Sequence, residues 1–371
     1  MPENQRYLAL DVFRGMTVCF MIIVNSPGSW TIAYSPLLHA DWHGFTPTDL
    51  VFPSFLFAVG NAMAFSMRKY ESLGENIFWT KTLKRTLIIF GIGFLLYWFP
   101  FVDFETWTLK PLSETRIFGV LQRIALCYFV ASIILHYGSA KFALWSSGLI
   151  LLAYWLILYT FGDQHDPYSL AGYAGHVIDL TILGEKHLYH GEGMAFDPEG
   201  ILSTLPAVVN VIAGFLAGNF IRSKSNNYET IAKLMMAGSL LILVALFWDM
   251  VFPINKKIWT SSYVLLTIGL DLVLLSILIY VIELLKKQGW TYFFLVFGRN
   301  PLFIYVLSQI LIVILYTIPI GESSLQYWLY NDFFGSFSSP INASLLFAIF
   351  FMVLNWFIGY LLDRKGIYIK V

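Results

Sequence analysis

The stretch SSYVLLTIGLDLVLLSILIYVIEL, residues 261–284, decides the fold, since it is almost entirely apolar and long enough as a helix to cross a membrane. A helix rises about 1.5 Å per residue, so about 20 residues span the hydrocarbon core of a bilayer. Further apolar runs of comparable length lie at about residues 8–24, 50–67, 86–101, 117–137, 142–161, 201–221, 234–252, 301–319 and 344–362. The sequence therefore predicts an all-α, polytopic membrane protein with about ten transmembrane helices.

The composition of the whole chain supports the same fold class. Of the 371 residues, 58% are hydrophobic and only 12% are charged, and the mean hydropathy is +0.69. A soluble domain would have to hide more apolar surface than its volume allows. The formal net charge is zero without any block of like charge, so nothing indicates nucleic acid as a partner. Cys19 and Cys127 lie inside apolar runs and form no CxxC pair, so we expect neither a disulfide framework nor a bound metal.

Lysine and arginine are distributed unevenly between the loops on the two sides of the membrane, and this distribution predicts the orientation of the chain across it. With a cytoplasmic N-terminus, sixteen of these cations fall on the cytoplasmic side and five fall outside. Both termini are then cytoplasmic, and the first span, which lacks a signal-peptide shape, is expected to be retained. We treat residues 1–371 as one transmembrane domain. The predicted outer loops are residues 25–49, 102–116, 162–200, 253–260 and 320–343.

A polar cluster lies between the first two predicted spans, in the stretch HADWHGFTPTDLVFP, residues 39–53. It contains two histidines, two aspartates and a tryptophan, which indicates a reactive site at a membrane face. Part of the cluster has a purely structural alternative. Thr46, Pro47 and Asp49 fit the N-cap, N1 and N3 positions of the second helix, so Asp49 could serve only to cap it. A histidine in such a loop is also more often a surface or hydrogen-bonding residue than a catalyst. Capping and catalysis by Asp49 are compatible.

Several polar residues fall inside predicted spans, where an ionised side chain costs several kcal/mol unless it is paired or hydrated. Asp11 and Arg14 have the spacing of a helical ion pair, which needs no function beyond insertion. Arg123, next to Gln122, has no acidic residue three or four positions away, so it requires a ligand or a partner on another helix, such as Asp271.

Seven blocks of sequence, in order along nearly the whole chain, together resemble one known family. Any one block is weak evidence, whereas seven at plausible spacing are specific. The family is that of the heparan-α-glucosaminide N-acetyltransferases, and the chain is similar to its short bacterial form. The blocks are LDVFRG at 10–15, VN at 24–25, HADWHG at 39–44, DLVFP at 49–53, GVLQR at 119–123, DPEGIL at 197–202 and PINKKIWTSS at 253–262.

The resemblance implies an acyltransferase of the cytoplasmic (inner) membrane that moves an acetyl group from cytoplasmic acetyl-CoA to an amino sugar outside, such as a terminal glucosamine. His39 matches the family's active-site histidine, and Asn25 and Asp49 match polar residues around it. The family often has asparagine where this chain has His43. The expected partners are the acceptor glycan, the lipid bilayer and a second copy of the chain in a homodimer.

The chemistry of the residues agrees with that implication. Attack of an amine on a thioester needs a base, a donor to the developing oxyanion and the exclusion of water. His39 suits the role of base or of acetyl acceptor, and both routes use the same residues. Asp49 would fix the tautomer of His39, and Asn25 would donate to the oxyanion.

The two substrates suggest two further groups of residues. Coenzyme A carries several phosphate charges and should stay among cytoplasmic-side cations, for which Arg14, Arg68 and Arg299 are candidates. Its pantetheine arm would pass Gln122 and Arg123 on the way to His39. On the outer side, carboxylates suit hydroxyl and ammonium groups, and an indole suits stacking on a sugar ring. The acceptor candidates are Trp42, Asp197, Glu199, Asn255, Lys256 and Trp259.

Two other classes of function remain open to the sequence. A transporter of a sugar or small anion would also place charges within spans, but it usually shows inverted repeats or paired broken helices, and neither is evident. A scaffold for envelope polysaccharides would not require His39, Asn25 and Asp49 together. Transfer of acetyl from labelled acetyl-CoA by the purified protein excludes both.

Overall fold

The computed structural model describes residues 7–67, 74–104, 106–224 and 227–369. Helices dominate it, and two short β-hairpins, Val102–Asp103 with Thr108–Leu109 and Pro319–Ile320 with Ser323–Ser324, lie in loops. The helices are α1 (Leu8–Asn25), α2 (Val51–Ser66), α3 (Glu75–Trp98), α4 (Val120–Tyr137), α5 (Ala140–Phe161), α6 (Ala174–Leu183), α7 (Ile201–Ser223), α8 (Tyr228–Asp249), α9 (Ser261–Leu278), α10 (Thr291–Arg299), α11 (Pro301–Thr317) and α12 (Pro340–Arg364). A π-helical segment, Ile279–Leu284, extends α9.

The fold confirms an all-α, multi-pass membrane protein, with a small difference in the number of spans. In the described part of the chain, eight helices are long and apolar enough to cross a membrane. A ninth span results if α10 and α11, which meet at a bend of 84°, are counted as one. The remaining predicted run, 86–101, belongs to α3, whose earlier half carries Lys81, Lys84 and Arg85. These charges explain why α3 does not have the composition of a simple span.

The chain divides into two compact units. Unit 1 comprises residues 7–40, 46–55 and 278–369. Within it, α1 packs closely on α10, because glycines allow the two backbones to meet. A Cβ atom on Gly15 would lie 1.9 Å from the carbonyl oxygen of Phe294, and one on Gly298 would lie 2.4 Å from the carbonyl oxygen of Asp11.

This packing makes Gly15→Ala a test of the α1–α10 contact. The added methyl group would meet backbone atoms that cannot rotate away, so we expect a loss of about 1–3 kcal/mol in stability. Thermal unfolding in detergent measures it as a lower midpoint. Gly91→Ala on α3 is the matched control, because nothing lies within 4 Å of its Cβ position. Equal midpoints for the two variants would contradict the packing described here.

Unit 2 comprises the described residues within 41–45 and 56–277. Its helices α3 and α4 pack against each other, and α4 and α5 both pack on α7. The α2 residues of this unit approach α7 just as closely, since a Cβ atom on Gly60 would lie 1.9 Å from the carbonyl oxygen of Val211. A buried cluster joins α5 to the loops that follow α5 and α8, and partly buried Trp42 packs against it. Its core members include Tyr154, Leu158, Tyr173, Phe196, Phe252 and Ile258.

Candidate functional site

His39 and Asp49 form a hydrogen-bonded pair within unit 1. The Nδ1 atom of His39 lies 2.7 Å from Oδ1 of Asp49. The side chain of Asp49 is only 1% exposed, whereas that of His39 is 36% exposed. A buried carboxylate therefore holds an imidazole that remains accessible to a substrate.

The start of the second helix explains why Asp49 is placed so firmly. A 3-10 turn, Pro47–Leu50, precedes α2 and begins with a capping box between Thr46 and Asp49. The Oδ2 atom of Asp49 accepts the backbone N–H of Thr46 at 3.0 Å and that of Ala40 at 3.2 Å. The capping positions predicted for Thr46, Pro47 and Asp49 are confirmed. One carboxylate thus caps the helix with one oxygen and binds His39 with the other.

The pair fixes the chemistry that His39 offers. A carboxylate only accepts hydrogen bonds, so Nδ1 of His39 must carry the proton that it shares with Asp49. In the neutral imidazole, the lone pair then lies on Nε2. This is the tautomer that a general base or a nucleophile requires.

Asn25 is the last residue of α1 and is half-buried. No hydrogen bond joins its side chain to His39 or Asp49 in the residues described. The structure brings His39 and Asp49 together as the sequence suggested, and leaves Asn25 at the helix end with its carboxamide not bonded to either.

In unit 2, two residues that the sequence predicts to bind the acceptor sugar fix the loop around His43. Asn255 is wholly buried, and its Nδ2 atom lies 3.3 Å from Nδ1 of His43. The indole N–H of Trp42 donates to the carbonyl oxygen of Tyr168 at 2.9 Å, and the ring packs edge-on against Phe196. These contacts order residues 41–45.

The carboxylates of Asp197 and Glu199 bind an arginine that the sequence reasoning had not selected. Arg116 donates from Nε to Asp197 at 2.9 Å, and its Nη2 reaches Asp197 and Glu199 at 2.6 Å each. The guanidinium also stacks between the rings of Tyr97 and Tyr189 at 4.9 Å from each. Asp197 has no exposed side-chain surface. The structure therefore places it inside an ion-pair network, whereas the sequence predicts a contact with the acceptor sugar.

The protonation of this network follows from its burial and its charges. Burial raises the pKa of Asp197, although the bond to Arg116 opposes the rise. For Glu199, burial also favours the neutral form, but the positive charges of Arg116, Arg123 and Lys256 outweigh it and hold the pKa below its usual value. Glu199 therefore remains a carboxylate near neutral pH, with three cations around it.

Gln122 and Arg123, predicted to line the donor path, are both wholly buried. The Arg123 guanidinium bonds to Ser203 Oγ and lies 4.8 Å from the centroid of the Trp259 ring. Among the described residues it forms no ion pair with Asp271, so its neighbours outside α4 are Ser203 and Trp259, and a ligand remains the other possibility that the sequence left open. Its Nε and Nη1 atoms have no hydrogen-bond partner in the same part of the chain. Arg123 thus lies beside Trp259 and near Glu199, two residues that the sequence predicts to bind the acceptor sugar.

The carboxamide of Gln122 packs against Gly93 of α3, where an added Cβ atom would lie 2.5 Å from Oε1. Neither its Oε1 nor its Nε2 atom has a hydrogen-bond partner within the described ranges. A buried carboxamide whose two polar atoms have no protein partner can form hydrogen bonds with a polar ligand group or a water molecule.

The cations predicted for the nucleotide of coenzyme A are engaged inside unit 1 where they can be described. Arg14 bonds to Asp11 at 2.8 Å and to the carbonyl oxygen of Gly298. Arg299 reaches both oxygens of Asp363 at 2.7 Å. Arg68 lies outside the described residues. The predicted pairing of Asp11 with Arg14 is confirmed.

Two neighbouring lysines follow Asn255 and have different surroundings. Lys257 pairs with Glu192 at 2.5 Å and donates to the carbonyl oxygen of Asp41 at 2.7 Å. Lys256, the predicted acceptor residue, contributes positive charge near Glu199. Sequence alone offered no means of distinguishing the two.

Comparisons with known proteins show which family the chain belongs to. Residues 6–246 match the family model described as heparan-alpha-glucosaminide N-acetyltransferase, catalytic. The chain is similar to the heparan-alpha-glucosaminide N-acetyltransferase of Mus musculus, with 29% identity over 84% of this chain and 55% of the relative. The Homo sapiens protein of the same name is 29% identical over 81% of this chain and 52% of its own length. The chain thus spans about half the length of these curated relatives. Because the family model covers well over half of the chain and includes His39 and Asp49, the chain belongs to the heparan-α-glucosaminide N-acetyltransferase family.

Proposed function

We propose that the protein is a membrane acetyltransferase that moves an acetyl group from acetyl-CoA to the amine of a terminal amino sugar. The observation that carries the proposal is the accessible imidazole of His39 held by buried Asp49, in a chain of this family. An amine acceptor fits this pair, since the ammonium form must lose a proton before it can attack.

In the direct route, the amine nitrogen attacks the thioester carbonyl while Nε2 of His39 accepts the proton that the amine loses. The C–S bond then breaks, and the imidazolium returns the proton to the departing thiolate. In the two-step route, Nε2 first takes the acetyl group as the thiolate leaves, and the amine then removes the acetyl group from the imidazole. The amine proton neutralises the thiolate. Asp49 holds Nδ1–H in both routes and stabilises positive charge on the ring.

The proposed orientation has both termini in the cytoplasm and His39 on the outer face of the inner membrane. The sixteen-to-five distribution of cations supports it. Acetyl-CoA then approaches from the cytoplasmic side, where Arg14, Arg68 and Arg299 contribute positive charge, and its pantetheine arm passes Gln122 and Arg123. The amino sugar approaches from outside, where we assign it to Trp42, Glu199, Lys256 and Trp259, with Asn255 holding the loop that carries His43. In this assignment, Asp197 positions Glu199 through Arg116 and does not touch the sugar.

The test is an assay of purified protein with radiolabelled acetyl-CoA and a panel of amino sugars and deacetylated glycan fragments. We expect labelled N-acetyl product and one free thiol of coenzyme A per acetyl group transferred. Labelled product excludes a transporter or a scaffold. Uptake of unmodified sugar into sealed vesicles, with no acetylation of any member of the panel, would contradict the proposal.

The orientation makes a separate prediction about sidedness. In sealed vesicles, acetyl-CoA should support transfer only from the face that bears Lys81, Lys84 and Arg85, and the amine only from the face that bears His39. The charged nucleotide cannot cross the bilayer, so inside-out and right-side-out vesicles should require opposite additions. Vesicles made permeable with detergent serve as the control, since they should accept both substrates from either side. Consumption of both substrates from one face of sealed vesicles would defeat this prediction.

A further inference from the structure

His43 lies four positions after His39 and is held by a rigid loop of unit 2. Its partner, Asn255, is wholly buried and makes a tight turn with the residues that follow it. The Asn255 backbone N–H donates to Oγ1 of Thr260, and the Thr260 N–H donates to the Asn255 carbonyl oxygen, both at 3.0 Å. Asn255 is therefore fixed independently of His43.

The orientation of the Asn255 carboxamide follows from this turn. Its Oδ1 atom accepts the backbone N–H of Ile258 at 3.0 Å, a role that only the oxygen can fill. The amide nitrogen must then face His43, where it lies 3.3 Å from Nδ1. Because Nδ2 donates, Nδ1 of His43 accepts, and the proton of the neutral ring lies on Nε2.

His39 and His43 consequently have opposite tautomers. His39 carries its proton on Nδ1, facing Asp49, and offers a lone pair on Nε2. His43 offers an N–H at Nε2. One histidine is arranged to accept a proton and the other to donate a hydrogen bond.

The charge state of His43 supports the same role. Partial burial lowers the pKa of His43, and the nearby carboxylates of Asp166 and Asp249 oppose this effect without reversing it. A neutral N–H donor near neutral pH does not repel a substrate that arrives as an ammonium ion.

The backbone on both sides of His43 is also fixed. The N–H of Gly44 donates to the carbonyl oxygen of Ile254 at 2.8 Å. Lys257 binds the carbonyl oxygen of Asp41, and the indole of Trp42 is tied to Tyr168. The His43 side chain itself remains exposed. Its Nε2–H is thus an accessible donor on an ordered segment.

We propose that His43 is a specificity-determining residue that donates its Nε2–H to a hydroxyl or carbonyl oxygen of the acceptor sugar, with Asn255 as the positioning residue that sets its tautomer. This proposal deepens the proposed function and rests on it for the identity of the acceptor. It assigns recognition of an acceptor oxygen to His43 and its partner Asn255.

The tautomer is measured directly by solid-state NMR of protein labelled with ¹⁵N-histidine in lipid bilayers. We expect the His43 ring to show protonated Nε2 and the His39 ring protonated Nδ1, with assignments made by their loss in H43Q and H39Q. In N255D, a carboxylate replaces the donor, so the His43 proton should move to Nδ1. A wild-type His43 ring with its proton on Nδ1 would overturn the proposal.

The kinetic test uses substitutions that differ in where they place an N–H. The amide nitrogen of H43Q lies near the original Nε2, whereas that of H43N lies near Nδ1, and H43F has none. We expect the acceptor KM to rise about tenfold in H43F, H43N and N255D, and less than threefold in H43Q. The KM for acetyl-CoA should stay unchanged in all four. An acceptor KM in H43F within twofold of wild type would overturn the proposal and leave the acetyltransferase function intact.

If the wild-type protein acetylates no amino sugar, the proposed function fails, and binding then decides the role of His43. Calorimetric titration with glucosamine and a glucosamine tetrasaccharide provides the readout. Binding to wild type and H43Q that is lost in H43F supports recognition by His43. Equal binding to all three proteins, or binding to none, rejects it.

Discussion

His39→Ala is expected to lower kcat for acetyl transfer by a factor of about 10²–10⁴, the range that a positioned base contributes. The side chain is exposed and contributes little packing, so the unfolding midpoint should stay near that of wild type. Initial rates with saturating acetyl-CoA and amino sugar measure the effect. His165→Ala is the matched control, because His165 is an exposed histidine of another loop and should leave the rate unchanged.

Asp49→Asn should lower kcat for acetyl transfer by a similar factor, but for a different reason. An asparagine can donate to Nδ1 of His39, which would place the ring proton on Nε2 and remove the lone pair that the reaction needs. The variant also removes the negative charge of the first turn of the second helix, at a cost of about 0.3–1 kcal/mol. Activity above a tenth of wild type in His39→Ala would show that His39 is neither base nor acetyl acceptor. The same outcome in Asp49→Asn would show that Asp49 does not set the tautomer that His39 needs.

Arg116→Gln is expected to cost about 3–5 kcal/mol of stability and to raise the KM for the acceptor sugar. The change leaves the buried carboxylate of Asp197 and that of Glu199 without their shared partner, and breaking a buried ion pair from one side is strongly destabilising. Thermal unfolding and acceptor KM report the two effects. The double variant Arg116→Gln with Asp197→Asn should recover part of the stability, because the uncompensated charge is removed.

Lys186→Gln is the control for this experiment. Lys186 pairs with Glu114 on the surface, where the two side chains are 71% and 56% exposed, and such pairs contribute little. We expect no measurable change in the unfolding midpoint. A midpoint for Arg116→Gln equal to that of Lys186→Gln would mean that the network around Asp197 is not a structural element.

Local patterns in the sequence predicted the features that depend on neighbouring residues. Apolar runs indicated the spans, and the order Thr46, Pro47, Asp49 indicated a helix start, because both depend on spacing within one segment. The bend between α10 and α11 could not be predicted, since the run 301–319 shows only length and hydropathy. For the same reason, the run 86–101 did not predict that α3 begins earlier, in a charged segment.

Contacts between residues that are distant in the sequence could not be predicted from local patterns. Arg116 and Asp197 are 81 positions apart, and nothing in either segment shows which cation meets which carboxylate. Arg123 was expected to need a carboxylate such as Asp271, but its charge meets a tryptophan face and a serine hydroxyl. Burial of an arginine therefore predicted that a partner exists, and not its chemical type.

The contact of Arg14 with Gly298 bears on how a helix can stop within apolar surroundings. The carbonyl of Gly298 is in the last turn of α10, where the helix itself supplies no donor, and in lipid an unsatisfied carbonyl costs several kcal/mol. Arg14 donates to it from Nε and Nη2 and places positive charge at the negative end of the α10 macrodipole. The first helix thus supplies the C-terminal cap of the tenth at the 84° break, from a residue 284 positions earlier in the chain.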